Sequence, residues 1–305
     1  MDMNTLYRNL SVPEGKIDCV LDTDTYNEID DQFALAYMLR CEEKLNVKAI
    51  YAAPFHNDKS EGAGDGMHRS YDEILKVLGL MKREDMVPYV FKGSDSYLPD
   101  ENTPVESDAV NHLISLAKGY TPEKPLYVVA IGAITNIASA LLKSPEIGDK
   151  IVVVWLGGHA LEWKDTAEFN MFQDIAAARV VWRRAASLVQ LPCMGVVSGF
   201  TVSAPELREY LVGKNELCTY LAENTISYTD SHGGNRYWSK VIWDVTAIGW
   251  LLNDGDRFMD SRIIARHMPN YDRQYNMSPM SSLFTYVNYI KRDNLLAHMI
   301  ETLTK

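Results

Sequence analysis

"LDTDTYNEIDDQFAL", residues 21–35, sets Asp22, Asp24, Glu28, Asp30 and Asp31 within ten positions, directly behind an apolar run. Carboxylates this close raise one another's pKa and destabilise the fold unless a cation offsets them. Oxygen donors alone suit Ca²⁺ or Mg²⁺ rather than zinc, and Ca²⁺ is the expected ion. An EF-hand loop is excluded, because Tyr26 stands where a third acid is required and Asn27 where the turn needs glycine. The apolar run reads as a strand and the pattern from Asp30 onward as a helix. The acids therefore occupy a strand-to-helix loop, the place where open parallel sheets bind ligands. Capping by Asp30 and Asp31 would explain two of the five acids and not the rest.

Outward from this loop, short runs rich in Val, Ile and Tyr recur at 17–21, 47–53, 87–91, 126–131, 151–156 and 188–197. Helical patterns lie between them, among them 70–78, 135–142 and 174–186. The alternation predicts βαβ units. The expected fold is α/β: a single domain over 1–305 with an open, mostly parallel sheet of Rossmann-like type and helices on both faces. Additional C-terminal helices are expected at 205–211, 216–227, 245–252 and 294–303, with a late strand at 283–289.

A net charge of −11 provides no basic face for nucleic acid, and no run of 18 apolar residues suggests a membrane span. The N-terminus lacks the basic start and apolar stretch of a secretory signal, so a cytoplasmic location is expected. Cys19, Cys41, Cys193 and Cys218 are too scattered for a zinc site or a disulfide framework.

Four segments, in order, resemble signatures of the inosine-uridine-preferring nucleoside hydrolases. "DTDTYNEIDDQFAL" resembles DxDPGxDDAxAL with its middle lengthened by two residues. "AIGAITNIASALLKSPEI" (130–147) resembles GPLTNIAxAL, "LGGHALEWKDTAEFNMFQDIAAARVV" (156–181) resembles MGG…AEFNxxxDPEAA, and "IWDVTAI" (242–248) resembles HDxxA. "YAAPFHND" (51–58) is a looser match to TTVxGN.

The resemblance implies Ca²⁺-dependent cleavage of the N-glycosidic bond of a small ribonucleoside, releasing base and ribose, in a homodimer or homotetramer. By similarity, Asp24, Asp31, Asp244 and the carbonyl of Thr135 are metal ligands, and Asp24 is also the base that deprotonates water. Asp30, Glu168 and Asn170 are implied to hold ribose hydroxyls, Asn57 to steady the water, and Glu162 to face the 5′-hydroxyl. Asp22 is read as a brace for the loop.

The departures shape the expectation about the base. Trp243 replaces the His of HDxxA, removing a proton donor and offering an indole for stacking, which points to purine nucleosides. The aromatic segment 227–244 suggests a lid, with His232 or Arg236 donating to the leaving base. "EGAGDGM" (61–67) lacks the lysine of a phosphate loop and reads as a mobile loop.

Two alternatives remain at this point. "VLDTDT" with "GDRFMD" (255–260) fits a haloacid-dehalogenase-type, Mg²⁺-dependent phosphatase with Asp22 as nucleophile. A non-catalytic nucleoside or pentose binder on the same scaffold fits the altered acid.

Overall fold

The computed structural model describes residues 1–232 and 237–305. Its strands are β1 (Ile17–Thr23), β2 (Leu45–Ala52), β3 (Val90–Lys92), β4 (Leu126–Ala130), β5 (Ile151–Leu156), β6 (Ser187–Leu191), β7 (Thr201–Ser203), β8 (Ser239–Val241), β9 (Met259–Ala265) and β10 (Leu283–Ile290). Its helices are α1 (Met3–Asn9), α2 (Asp30–Arg40), α3 (Ala63–Met81), α4 (Asp108–Ala117), α5 (Thr135–Lys143), α6 (Phe169–Gln173), α7 (Ile175–Arg184), α8 (Ala204–Tyr210), α9 (Glu216–Ser231), α10 (Val245–Leu251) and α11 (Arg292–Leu303).

Eight strands form one sheet in the order β3-β2-β1-β4-β5-β6-β10-β9, all parallel except β9, which runs antiparallel to β10. Strand progression reverses between β1 and β4, so the crevice beyond their carboxyl ends is the natural ligand position. The central strands are apolar throughout because both faces are covered. Along β5, Val152, Val154 and Leu156 join one core layer while Ile151, Val153 and Trp155 join the other. The first layer packs α2, α3, α9, α10 and α11 against the sheet, and the second packs α4, α5 and α7. β7 and β8 form a separate antiparallel pair that leads the chain into α10.

Several boundaries moved for physical reasons. Glu84–Tyr89 is a 3₁₀ turn containing Pro88, which leaves β3 only three residues. β6 stops at Leu191 because Pro192 cannot donate to a ladder. The glycines of 61–67 do not mark a mobile loop: α3 starts at Ala63, where a Cβ on Gly66 would lie 2.0 Å from the Phe55 carbonyl oxygen. They permit close helix packing rather than disorder. Met259–Ala265 is an edge strand that the periodicity did not indicate, and α1, α4 and the β7–β8 pair were likewise not anticipated.

Candidate active site

β1 carries Asp22 into its carboxyl end, and the turn that follows is closed by the Asn27 N–H donating to the Asp24 carbonyl at 2.7 Å. α2 then opens with Asp30 and Asp31 in its first turn, where the helix dipole favours negative charge. Thr23 Oγ1 donates to Asp31 Oδ1 at 2.5 Å, and Gln32 Nε2 donates to the Thr25 carbonyl at 2.9 Å. The loop is therefore held at both ends. Asp244, at the start of α10, donates its backbone N–H to Asp30 Oδ2 at 3.3 Å. Carboxylate oxygens of Asp30, Asp31 and Asp244 all lie within 4.8 Å of one another.

Asp24, Asp30, Asp31 and Asp244 are buried and line one cavity of about 210 Å³. Burial, reinforced by neighbouring charge, pushes their pKa values up: Asp30 to about 6 beside Glu28, and Asp31 to about 7 beside Asp30. Asp24 beside Asp31, and Asp244 beside Asp30, are raised well above the carboxylate range for the same reasons. Among the described residues, both oxygens of Asp24 and Oδ1 of Asp30 are buried with no hydrogen-bond partner. Unsatisfied buried acceptors are costly, and oxygens that converge this closely form a donor set suited to a divalent cation.

Asp22 lies behind this set. Its Oδ1 accepts from Asn136 Nδ2 at 2.7 Å, and Asn136 Oδ1 accepts from the Ser94 backbone N–H and hydroxyl. Asp22 thus ties the end of β1 to the start of α5 and does not line the cavity.

The cavity wall continues with Glu168, Asn170 and Trp243. Glu168 is fixed by three backbone N–H groups, those of Asn170, Met171 and Gly158, each at 2.9 Å. These donors oppose the upward shift that burial imposes on its pKa. Asn170 Nδ2 donates to the carbonyls of Ile131 and Leu156 at 3.1 Å, clamping the ends of β4 and β5 together. Trp243 is half-buried, one residue before Asp244, and its ring also packs against the core.

A family model described as inosine-uridine preferring nucleoside hydrolase matches residues 19–278. The chain belongs to this family. A pyrimidine-specific ribonucleoside hydrolase, RihA of Salmonella typhimurium, is 26% identical over 248 residues, covering 73% of this chain and 76% of the relative. A purine-preferring ribonucleoside hydrolase from Gardnerella vaginalis superposes with a TM-score of 0.74 at 17% identity, covering 94% of this chain and 98% of that one. A plant nucleoside hydrolase superposes at 0.73 with 16% identity, covering 96% and 99%.

Not every expected site residue of this nucleoside hydrolase reaches the cavity. Thr135 is buried at the start of α5, its hydroxyl donating to Asp174 Oδ2 at 2.7 Å, so its side chain is engaged away from the acids and any role beside them falls to its backbone carbonyl. Asn57 donates to Asn27 Oδ1 at 2.7 Å, so it supports a wall residue instead of lining the cavity. Glu162 points outward, 72% exposed, with Arg262 at 3.7 Å. His232 ends α9 in an exposed position, stacked on Tyr228 with ring centroids 4.2 Å apart. Arg236 lies outside the described residues. Spacing from a motif sets a residue's place along the chain; packing sets where its side chain points.

His159, Cys193 and Met194 also line the cavity, although no motif in the sequence marks them. His159 follows Gly157 and Gly158 at the end of β5, and that position was its available signal. Asn27 and Glu28, from the lengthened middle of the acidic loop, also line the cavity, and Glu28 pairs with Lys240 of β8. The acids of "GDRFMD" are elsewhere: Asp260 pairs with Lys291 at 2.7 Å on the sheet edge. The phosphatase alternative therefore lacks its second acidic group.

Proposed function

We propose that the protein hydrolyses the N-glycosidic bond of ribonucleosides, with Ca²⁺ as resident ion and purine nucleosides preferred. The observation that carries the catalytic reading is the pair of unpartnered, buried Asp24 oxygens beside the convergent Asp30, Asp31 and Asp244. Asp24, Asp31 and Asp244 would hold the ion with the Thr135 carbonyl; when bound, it offsets the carboxylate charge and lowers the pKa of a nearby water.

Asp24, as general base, takes a proton from the water that attacks C1′. The C1′–O bond forms as the C1′–N bond breaks, and the base leaves with a proton drawn from solvent. The acidic cavity stabilises the positive charge that develops on the sugar. Asp30, Glu168 and Asn170 hold ribose hydroxyls, which makes the sugar the main recognition element. Asn27 and Glu28 stand near enough to add contacts that the shorter family loop would not supply.

Purine preference rests on Trp243, whose indole offers a broad face for a two-ring base and no acid for pyrimidine departure. We further propose that residues 1–305 act as one domain and assemble as a homodimer or homotetramer, to which exposed Tyr210, Tyr271 and Tyr289 are available. Incubation with inosine or uridine, followed by chromatography for free base and ribose, tests the activity. Release of neither base, with binding retained, would favour the non-catalytic binder.

A further inference from the structure

A second concavity lies at the other end of α2 from the catalytic carboxylates. α2 runs from Asp30 to Arg40, about 15 Å at 1.5 Å per residue. A cleft of about 490 Å³ opens there, lined by Arg40, by Lys16 and Lys44 at the entries to β1 and β2, and by Arg257 and Lys305. Five cationic side chains share this cleft with two acidic side chains, Glu43 and Asp254, and the α-carboxylate of Lys305, in a chain whose net charge is −11. The excess is local and runs against the overall charge.

Hydrogen bonding within the protein leaves this charge largely unmatched. Lys44 Nζ pairs with Asp254 Oδ1 at 2.5 Å, and Arg257 Nε donates to the Leu252 carbonyl at 2.9 Å. Among the described residues, Lys16, Arg40 and Lys305 join no ion pair, and Arg40 Nε is buried with no hydrogen-bond partner. A buried guanidinium N–H without an acceptor is costly. His298, also in the wall, engages its Nδ1 with the Tyr37 hydroxyl at 2.6 Å, which leaves Nε2 for another partner. Burial, then the charges of Arg257 and Lys305, hold His298 below the ordinary histidine range.

The surroundings narrow the ligand. A metal cation is repelled by this wall, in which Leu252 is the one large aliphatic side chain among the described residues. Arg40 already complements the negative carboxyl end of α2, so what remains to be satisfied is its fork of donors. Tetrahedral oxyanions match such a fork and are neutralised by several ammonium groups at once. We propose that this cleft is a binding site for a small phosphorylated anion, seated on Arg40 and Arg257 with Lys16 and Lys305 around it and separate from the catalytic cavity.

Calorimetric titration of the full chain with inorganic phosphate and with glycerol 3-phosphate tests the site. Saturable binding of either probe is expected, retained in Asp24→Asn and weakened at least tenfold in the Arg40→Gln/Arg257→Gln double variant. Tighter binding of glycerol 3-phosphate identifies a phosphomonoester as the natural class, and tighter binding of phosphate identifies the free ion. The exposed single substitutions Lys16→Gln and Arg257→Gln should each weaken binding severalfold, which keeps the test open if the double variant fails to fold. Absence of saturation at millimolar probe, unchanged binding in these variants, or loss of binding in Asp24→Asn would overturn the proposal.

Discussion

The backbone N–H of Asp244 donates to Asp30 Oδ2 at 3.3 Å, joining two acids 214 positions apart. This contact sets the start of α10 against the start of α2 and brings the third carboxylate to the cluster. Asp30→Ala removes the acceptor together with a proposed ribose contact. It should lower kcat/KM for a ribonucleoside by at least about 10², roughly the 3 kcal/mol expected for a charged hydrogen-bonding group. Steady-state kinetics with circular dichroism as a folding control checks this; a variant within threefold of wild type would contradict it.

The brace behind the loop has its own energetic signature. Asn136 links Asp22 to Ser94 through three hydrogen bonds, all buried. Asn136→Ala leaves those groups unsatisfied, and chemical denaturation should show a loss of about 2–4 kcal/mol. A loss below about 1 kcal/mol would mean that water replaces the amide at little cost.

Protonation of the cluster gives a stability profile with an unusual sign. Asp30 and Asp31 are raised in the folded state to about 6 and about 7, from the ordinary aspartate value of 3.8. The folded protein therefore retains protons that the unfolded chain has released. Their contribution to stability is fully present below about pH 4 and is lost as pH rises through 6 to 7. The melting temperature of metal-free protein should fall across that window, and saturating Ca²⁺ should reverse the trend by favouring the ionised carboxylates. A metal-free melting temperature that climbs from pH 4 to pH 7 would refute this.

Much of this site is legible in the sequence because its acids sit at strand ends and helix starts, where pattern and chemistry coincide. Asp24, Asp31 and Asp244 each follow an apolar strand or open a helix, so sheet order brings them to one cavity. The edge strand β9 was not legible: "MDSRIIA" is only partly buried and lacks the alternation of a strand with one wet face. The three-residue strands β7 and β8 are too short to show any period. Glu162 and His232 failed for a different reason, since each is turned outward by contacts that spacing does not encode: Arg262 for the first, Tyr228 for the second.

Trp243 provides a test of base preference. If its indole stacks on the base, inosine should be cleaved faster than uridine, and Trp243→Ala should reduce purine turnover by about one to three orders of magnitude, with Ca²⁺ affinity unchanged. Its half-buried ring also packs on the core, so the variant's melting temperature must be measured in parallel. Equal kcat/KM for uridine and inosine would remove the stacking argument.

The central claim is that Asp24 deprotonates the water that cleaves the glycosidic bond. The most direct measurement compares turnover of a ribonucleoside by wild type, Asp24→Asn and Asp22→Asn, all supplied with the same divalent cation. Asn keeps the size of Asp and one donor oxygen but cannot take up the proton. Asp24→Asn should lose about 10² to 10⁴ in kcat while Asp22→Asn, altered only in the brace, loses far less. Near-wild-type turnover by Asp24→Asn, or a dead Asp22→Asn beside an active Asp24→Asn, would contradict the account.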